Sequence, residues 1–167
     1  RVLALFQLAQ IESEHFLLIL ASLDAQWLIQ HLTRFVFRSK VVINYEQDYH
    51  VQGQFIDHQA SINCAQVITG TAQTGYILDI PDKNCTRKLL ISRTQTETQL
   101  EAIDQWHSLD MAMGWLWIDE KLQNLWTPQM LSLQELNAFS LKKGCYPGQE
   151  IVARTHYLGK SKRNLRL

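Results

Sequence analysis

Residues 76–93 read YILDIPDKNCTRKLLISR. Tyr76–Ile80 and Arg87–Arg93 are short runs rich in β-branched and apolar residues, and Pro81-Asp82 stops the first of them. Proline lacks the amide proton that a sheet ladder needs, so the pattern predicts two strands joined by a polar turn. One such pair is marginal in water and needs more strands and a covering layer.

The neighbouring sequence supplies both. His50–Asp57 and Val41–Glu46 are β-branched and aromatic, and the intervening QDY predicts a hairpin. Gln59–Gly75 is polar and glycine-punctuated, with a weak strand inside it. Arg1–Ile11 alternates through Val2, Ala4, Phe6 and Leu8, and His15–Leu20 is compact and apolar, so both read as strands. Ser22 is placed to cap a helix in which Leu23, Trp27, Leu28, Leu32, Phe35 and Val36 recur at helical spacing to about Arg38. Thr96 or Thr98 can cap a second helix carrying Leu100, Ile103, Trp106, His107 and Met111. Strands framing two helices predict an α+β fold of antiparallel sheets with covering helices. No repeat, low-complexity tract or linker marks an internal boundary.

The 167 residues are 46% hydrophobic and 19% charged, with formal net charge zero. That balance gives no global attraction to nucleic acid or anionic lipid, so such a partner must be met by a local patch. No apolar run approaches the roughly twenty residues of a membrane span. The longest candidate, Phe16–Ala21, is strand-sized and flanked by Glu14, His15 and Asp24. Cys64, Cys85 and Cys145 lie far apart, which suits neither a disulfide framework nor a zinc site and fits a reducing cytoplasm. His15, His31, His50, His58, His107 and His156 are scattered, so no metal site is expected. The chain opens on Arg1 without a signal peptide and closes on KRNLRL, which alternates like the start of a strand. An excerpt of a longer protein is expected.

From Gly114 the pattern becomes irregular, with two prolines and Trp115, Trp117 and Trp126. Those indoles, with Met130 in the same loop, could border a pocket for a flat heterocycle, or they could anchor the loop in the core. Next comes Lys142–Glu150, KKGCYPGQE, running on into IVAR. Proline and glycine at Pro147 and Gly148 suit the two central positions of a type II turn, and Gln149 can begin a short helix. Lys142, Lys143 and the helix start would favour the thiolate of Cys145; the alternative is a small buried hydrophobe.

This motif resembles the signature of the YgfZ family, folate-binding proteins related to the aminomethyltransferase (T-protein) of the glycine cleavage system. The matching residues are Lys143, Gly144, Cys145, Tyr146, Gly148, Gln149, Glu150 and Arg154, and the likeness extends upstream through TPQMLSLQELNAFSLKK. The resemblance implies an aminomethyltransferase-like folate-binding fold. Residues 1–159 would be its central region, with parts of the first and second subdomains, and 160–167 the start of a truncated C-terminal β-barrel. It also implies tetrahydrofolate as cofactor, iron–sulfur client enzymes such as a tRNA methylthiotransferase as partners, and Cys145 as the functional thiol. The transferase relatives often carry R-L-E-A-G where this chain has Asp110-Met111-Ala112-Met113-Gly114. Ala112 then replaces a folate-contacting glutamate, which disfavours classical aminomethyl transfer.

Three readings follow: a folate-binding accessory factor for iron–sulfur enzymes and tRNA modification, a one-carbon transferase, and an RNA-binding module. The last would use Lys142, Lys143, Arg154, Lys160, Lys162, Arg163 and Arg166. Such a stretch is more often a solvated face, so direct nucleic-acid binding is the least favoured.

Overall fold

The computed structural model describes residues 1–56, 68–80, 87–95, 97, 99–159 and 165. Two compact units emerge: Arg1–Phe6 with Leu20–Asp24 and Asp110–Leu167, and Gln7–Ile19 with Ala25–Leu109. Each is assembled from separated stretches, so no single linker could have marked the division in the sequence.

The Gln7–Ile19 and Ala25–Leu109 unit holds the sheets. β1 (Phe6–Glu12) and β2 (His15–Leu20) form a two-stranded sheet. The two-residue turn between them admits only an antiparallel pairing. β3 (His50–Phe55), β4 (Ile68–Thr71), β5 (Gly75–Ile80) and β6 (Arg87–Ser92) form a four-stranded sheet in the order β3-β6-β5-β4, antiparallel throughout. The predicted pair is β5 and β6, with Leu78 opposite Leu89 and Asp79 opposite Lys88.

Alternation along these strands sorts the two faces. Leu78, Ile80 and Leu89 are buried in one core with Ala9 of β1, and Leu17, Ile19, Ile68 and Trp106 pack against it. The opposite face carries an ion pair between Lys88 and Asp79 at 3.5 Å. Trp106 belongs to α2 (Leu100–Ala112), so the hairpin and that helix cover one side of the sheet, as the pattern predicts. Arg87 is buried beneath α2, its guanidinium 4.7 Å from the Trp106 ring centroid and donating to the Trp106 carbonyl at 3.3 Å.

Three expectations need correction. Val41–Glu46 forms no strand, and β3 pairs instead with β6, placing Val51 opposite Ile91. Val41, Val42 and Tyr45 remain exposed, so the run has no apolar surface to pair against. α1 spans only Ala25–Thr33. The Thr33 hydroxyl donates back to the Ile29 carbonyl at 2.7 Å, and the β-branched and aromatic Phe35-Val36-Phe37 that follows is poor helix-forming sequence. Ser22 caps nothing in α1; its hydroxyl donates to the Ile118 carbonyl at 2.8 Å. Thr96, Thr98 and all of Gln59–Val67 lie outside the described residues, as do Cys64, Cys85 and His58.

In the other unit, Arg1–Leu5 alternates like a strand but finds its partner in a loop. Val2 donates to the Trp126 carbonyl and accepts from Asn124, both at 2.9 Å, and Arg1 donates to the Leu125 carbonyl. Val2 and Leu5 are buried with Ile118, Leu131 and Leu133. The irregular stretch is wound from short turns. Leu131 donates to Thr127, Leu133 to Pro128 and Ala138 to Leu133, while Ser132 and Asn137 adopt left-handed φ of 53° and 52° that end successive turns. α3 (Gln149–Tyr157) follows the cysteine motif and buries Val152.

Candidate functional site

The motif folds into a loop closed largely by its own residues. Gln149 donates its amide to the Tyr146 carbonyl at 3.1 Å, and Gly148 between them has φ 83° and ψ 2°. Those values define the type II turn and require glycine at its third position. Gly148 is also the N-cap of α3, and its carbonyl accepts from Ile151 at 3.2 Å and Val152 at 3.3 Å.

The Gln149 side chain then turns back over the loop. Its Oε1 accepts from the Tyr146 amide at 3.3 Å, and its Nε2 donates to the Lys143 carbonyl at 3.5 Å. The Lys143 ammonium lies 4.8 Å from the Tyr146 ring centroid. Lys143, Tyr146, Gly148 and Gln149 are thereby brought together, and Cys145 projects from the loop as an exposed free thiol. Buried-hydrophobe packing is excluded for this cysteine. Gly144 is exposed as well, and a Cβ added there would meet nothing within 4 Å. Glu150 sits in the first turn of α3, where the helix dipole favours a carboxylate, and Arg154 follows one turn later; both are exposed.

A residue that pattern reading misses fixes α3 to the rest of its unit. Gln129 is buried, and its Nε2 donates to the Val152 carbonyl at 2.9 Å. In a chain rich in glutamine nothing local distinguishes it. Its Oε1 and the hydroxyl of Tyr146 are buried with no hydrogen-bond partner among the described residues.

Two of the three tryptophans take the anchoring role. Trp115 and Trp126 pack against the Val2–Leu133 core, as loop anchors do. Trp117 is 42% exposed, and its indole nitrogen donates to Oδ2 of Asp110 at 3.1 Å. Asp110, itself buried, lies in the last turn of α2. Its carbonyl accepts from Trp115 at 2.8 Å and Gly114 donates to Met111 at 2.9 Å, with Gly114 at φ 73°. This is a Schellman ending, and it sets the direction in which the tryptophan-bearing segment leaves the helix. Met130 is half-buried, with its amide donating to the Thr127 hydroxyl at 3.3 Å. Ala112 is exposed at the end of α2.

Lys142, Lys143 and Arg154 are exposed, whereas Lys160, Lys162, Arg163 and Arg166 lie outside the described residues. Among the described residues, no three His, Cys, Asp or Glu side chains are grouped to hold a metal ion. No helix among them is long and apolar enough to cross a membrane.

No protein-family model matches the chain. Individual proteins do. The tRNA-modifying protein YgfZ of Cronobacter sakazakii is 42% identical over 80 residues, covering 48% of this chain and 24% of that protein. The protein of that name from Colwellia psychrerythraea is 47% identical over 60 residues, 36% of this chain and 18% of the relative. The one from Escherichia coli is 39% identical over 80 residues, again 48% and 24%. The matched stretches thus reach about half of this chain and about a quarter of the relatives' length. Over that stretch the chain is similar to YgfZ proteins, the family its cysteine motif resembles.

Proposed function

We propose that this chain is the central part of a folate-binding, YgfZ-type accessory protein that supports tRNA modification by maintaining iron–sulfur enzymes. The observation that carries the reading is the motif loop, which Gln149 and the Gly148 turn close around an exposed Cys145. The names of the relatives support the tRNA-modification part of it. In this reading residues 1–159 belong to an aminomethyltransferase-like fold, 160–167 open a C-terminal barrel, and the protein works in the cytoplasm.

The residues present fit a folate in two respects. Trp117 offers an exposed aromatic face with its N–H already engaged, and the buried Tyr146 hydroxyl and Gln129 Oε1 are acceptors still able to take a hydrogen bond. Tetrahydrofolate, when bound, supplies a carrier for one-carbon groups. The chain's own contribution is to stack the heterocycle, to hold the loop in one conformation and to present the Cys145 sulfur to a client. Aminomethyl transfer is the weaker reading, because Asp110 in the divergent segment is engaged by Trp117 and Ala112 has no polar group.

Cys145→Ser in the full-length protein tests this. Client-dependent tRNA methylthiolation should fall in cells, the purified protein should lose its rapid alkylation by iodoacetamide, and its stability should stay within about 0.5 kcal/mol of wild type. Full tRNA modification in cells carrying Cys145→Ser would remove the functional thiol from the account.

A further inference from the structure

We propose that Arg34–Lys40, at the C-terminal end of α1, is a docking strip for single-stranded RNA. This rests on the tRNA-modification part of the function proposed above and uses no residue of the cysteine motif.

The strip interleaves two chemistries. Phe35 is 44% exposed and Phe37 85%, and neither packs against the buried clusters. Arg34, Arg38 and Lys40 alternate with those rings and are exposed as well. Among the described residues none of the three cations is paired with a carboxylate. From Ala25 to Tyr45 the sequence contains no Asp or Glu, so positive charge is concentrated here in a chain of net charge zero. A neutral chain meets a polyanion through such a local patch.

Surface cations alone are ordinarily a solvated face, and exposed phenylalanines alone suit any apolar partner. Their alternation narrows the choice. Single-stranded RNA offers planar bases beside phosphates, so bases can stack on the rings while phosphates meet the cations. An acidic peptide supplies the charge without the flat faces.

α1 holds one end of the strip in place. Trp27 stacks on His31 with centroids 5.1 Å apart, and Phe35 meets the His31 ring edge-on at 6.1 Å. Spacing by four residues puts these rings on one face at successive turns. Phe35 lies just past the helix end, where its amide donates to the Leu32 carbonyl at 2.9 Å. The Arg34 guanidinium donates to Nδ1 of His31 at 3.1 Å and lies 5.7 Å from the Phe35 centroid. A ring and a cation are thus positioned before ligand arrives, which lowers the ordering cost of binding. Phe37 extends beyond them with its ring almost wholly in solvent.

A labelled tRNA transcript and a labelled oligouridylate of about 12 nucleotides are titrated with the full-length protein and followed by fluorescence anisotropy. Both should bind saturably, with affinity falling as salt rises. Phe37→Ala should weaken binding about five- to tenfold without changing the salt dependence, whereas Phe37→Trp should bind at least as well as wild type. Arg38→Ala combined with Lys40→Ala should lower the slope of log Kd against log salt by about 1 to 1.5. Should Phe37→Ala fail to fold, Phe37→Trp and the cationic double variant decide the matter. No saturable binding of either RNA overturns the inference, and tRNA modification that still depends on Cys145 would leave the function proposed above standing without it. RNA binding that neither the Phe37 nor the cationic variant weakens belongs to another surface and overturns the inference equally. Phosphatidylglycerol vesicles that bind through Phe37 while RNA does not would give the strip to a lipid surface and refute the RNA assignment.

Discussion

Replacing Gly53 with alanine drives a methyl group into the ring of Trp106. An ideal Cβ at Gly53 falls 2.7 Å from Cζ3 and 2.9 Å from Cε3 and Cη2, all atoms of the six-membered ring. Carbon atoms pack comfortably at about 3.5–4.0 Å, so the ring must retreat by nearly an ångström. It is hemmed in on other sides. The Arg87 guanidinium lies 4.7 Å from its centroid, and the Phe55 ring meets it edge-on at 5.6 Å. Overpacking of this kind costs about 1–3 kcal/mol, partly offset by about 0.5–1 kcal/mol from removing a glycine within a strand.

A net loss of about 1–2 kcal/mol should lower Tm by about 2–8 °C in a chain of this size. Trp106→Phe removes the outer ring atoms and supplies the control. In that background Gly53→Ala should be neutral or slightly stabilising, giving a coupling of about 1–3 kcal/mol in a double-mutant cycle read by urea unfolding. Equal costs in both backgrounds would refute the reasoning, since the penalty would then arise from the strand and not from the ring.

The motif glycines should separate cleanly. Gly148→Ala forces alanine to φ 83° and should cost about 1–2 kcal/mol in thermal unfolding, although its Cβ would touch nothing. Gly144→Ala should leave stability within about 0.5 kcal/mol while impairing tRNA modification in cells, and full activity would show that the position tolerates a side chain. Burial, with smaller contributions from Tyr49 and Glu12, raises the Tyr76 phenol above its ordinary 10.0. The folded form then holds that proton more tightly than the unfolded form, so its stabilisation is complete below pH 10.0 and is lost as pH rises beyond it. Ultraviolet difference titration should show a late-ionising tyrosine that disappears in Tyr76→Phe; an unchanged titration would contradict the assignment.

Local signals carried the sequence reading as far as local forces decide the structure. β2, β5, β6, α2 and the turn into α3 were legible because runs of β-branched residues, helical spacing and a Pro-Gly pair fix short stretches of backbone. The partner of β3 was not legible. The nearest apolar run, Val41–Glu46, is the natural guess, whereas the true partner lies near Leu89 and the choice depends on which face Trp106 covers. Arg1 and Val2 likewise lie in a run that alternates as in a strand, and no pattern announces that residues 124–126 will pair with them. In the site, the exposed thiol and its turn were foreseeable. Gln129, Asp110 and the returning side chain of Gln149 were not, because a polar residue carries no periodicity and its role depends on which carbonyl or N–H the fold leaves beside it.

Within the motif, geometry separates what the loop needs from what it does not use. Gly148 is required by a left-handed φ, Gln149 by two hydrogen bonds to the loop backbone, and Lys143 and Tyr146 meet through the ammonium and the ring. Those residues build the loop. Cys145 and Gly144 are exposed, and an added Cβ at Gly144 would meet open space without any left-handed strain. Stability therefore gives no reason for glycine at 144. A glycine that the fold does not need lets another molecule approach its backbone closely, and here that backbone adjoins the sulfur. In the function proposed above, the bare stretch at Gly144–Cys145 is where a partner would approach, and a side chain at 144 should obstruct that partner before it disturbs the loop.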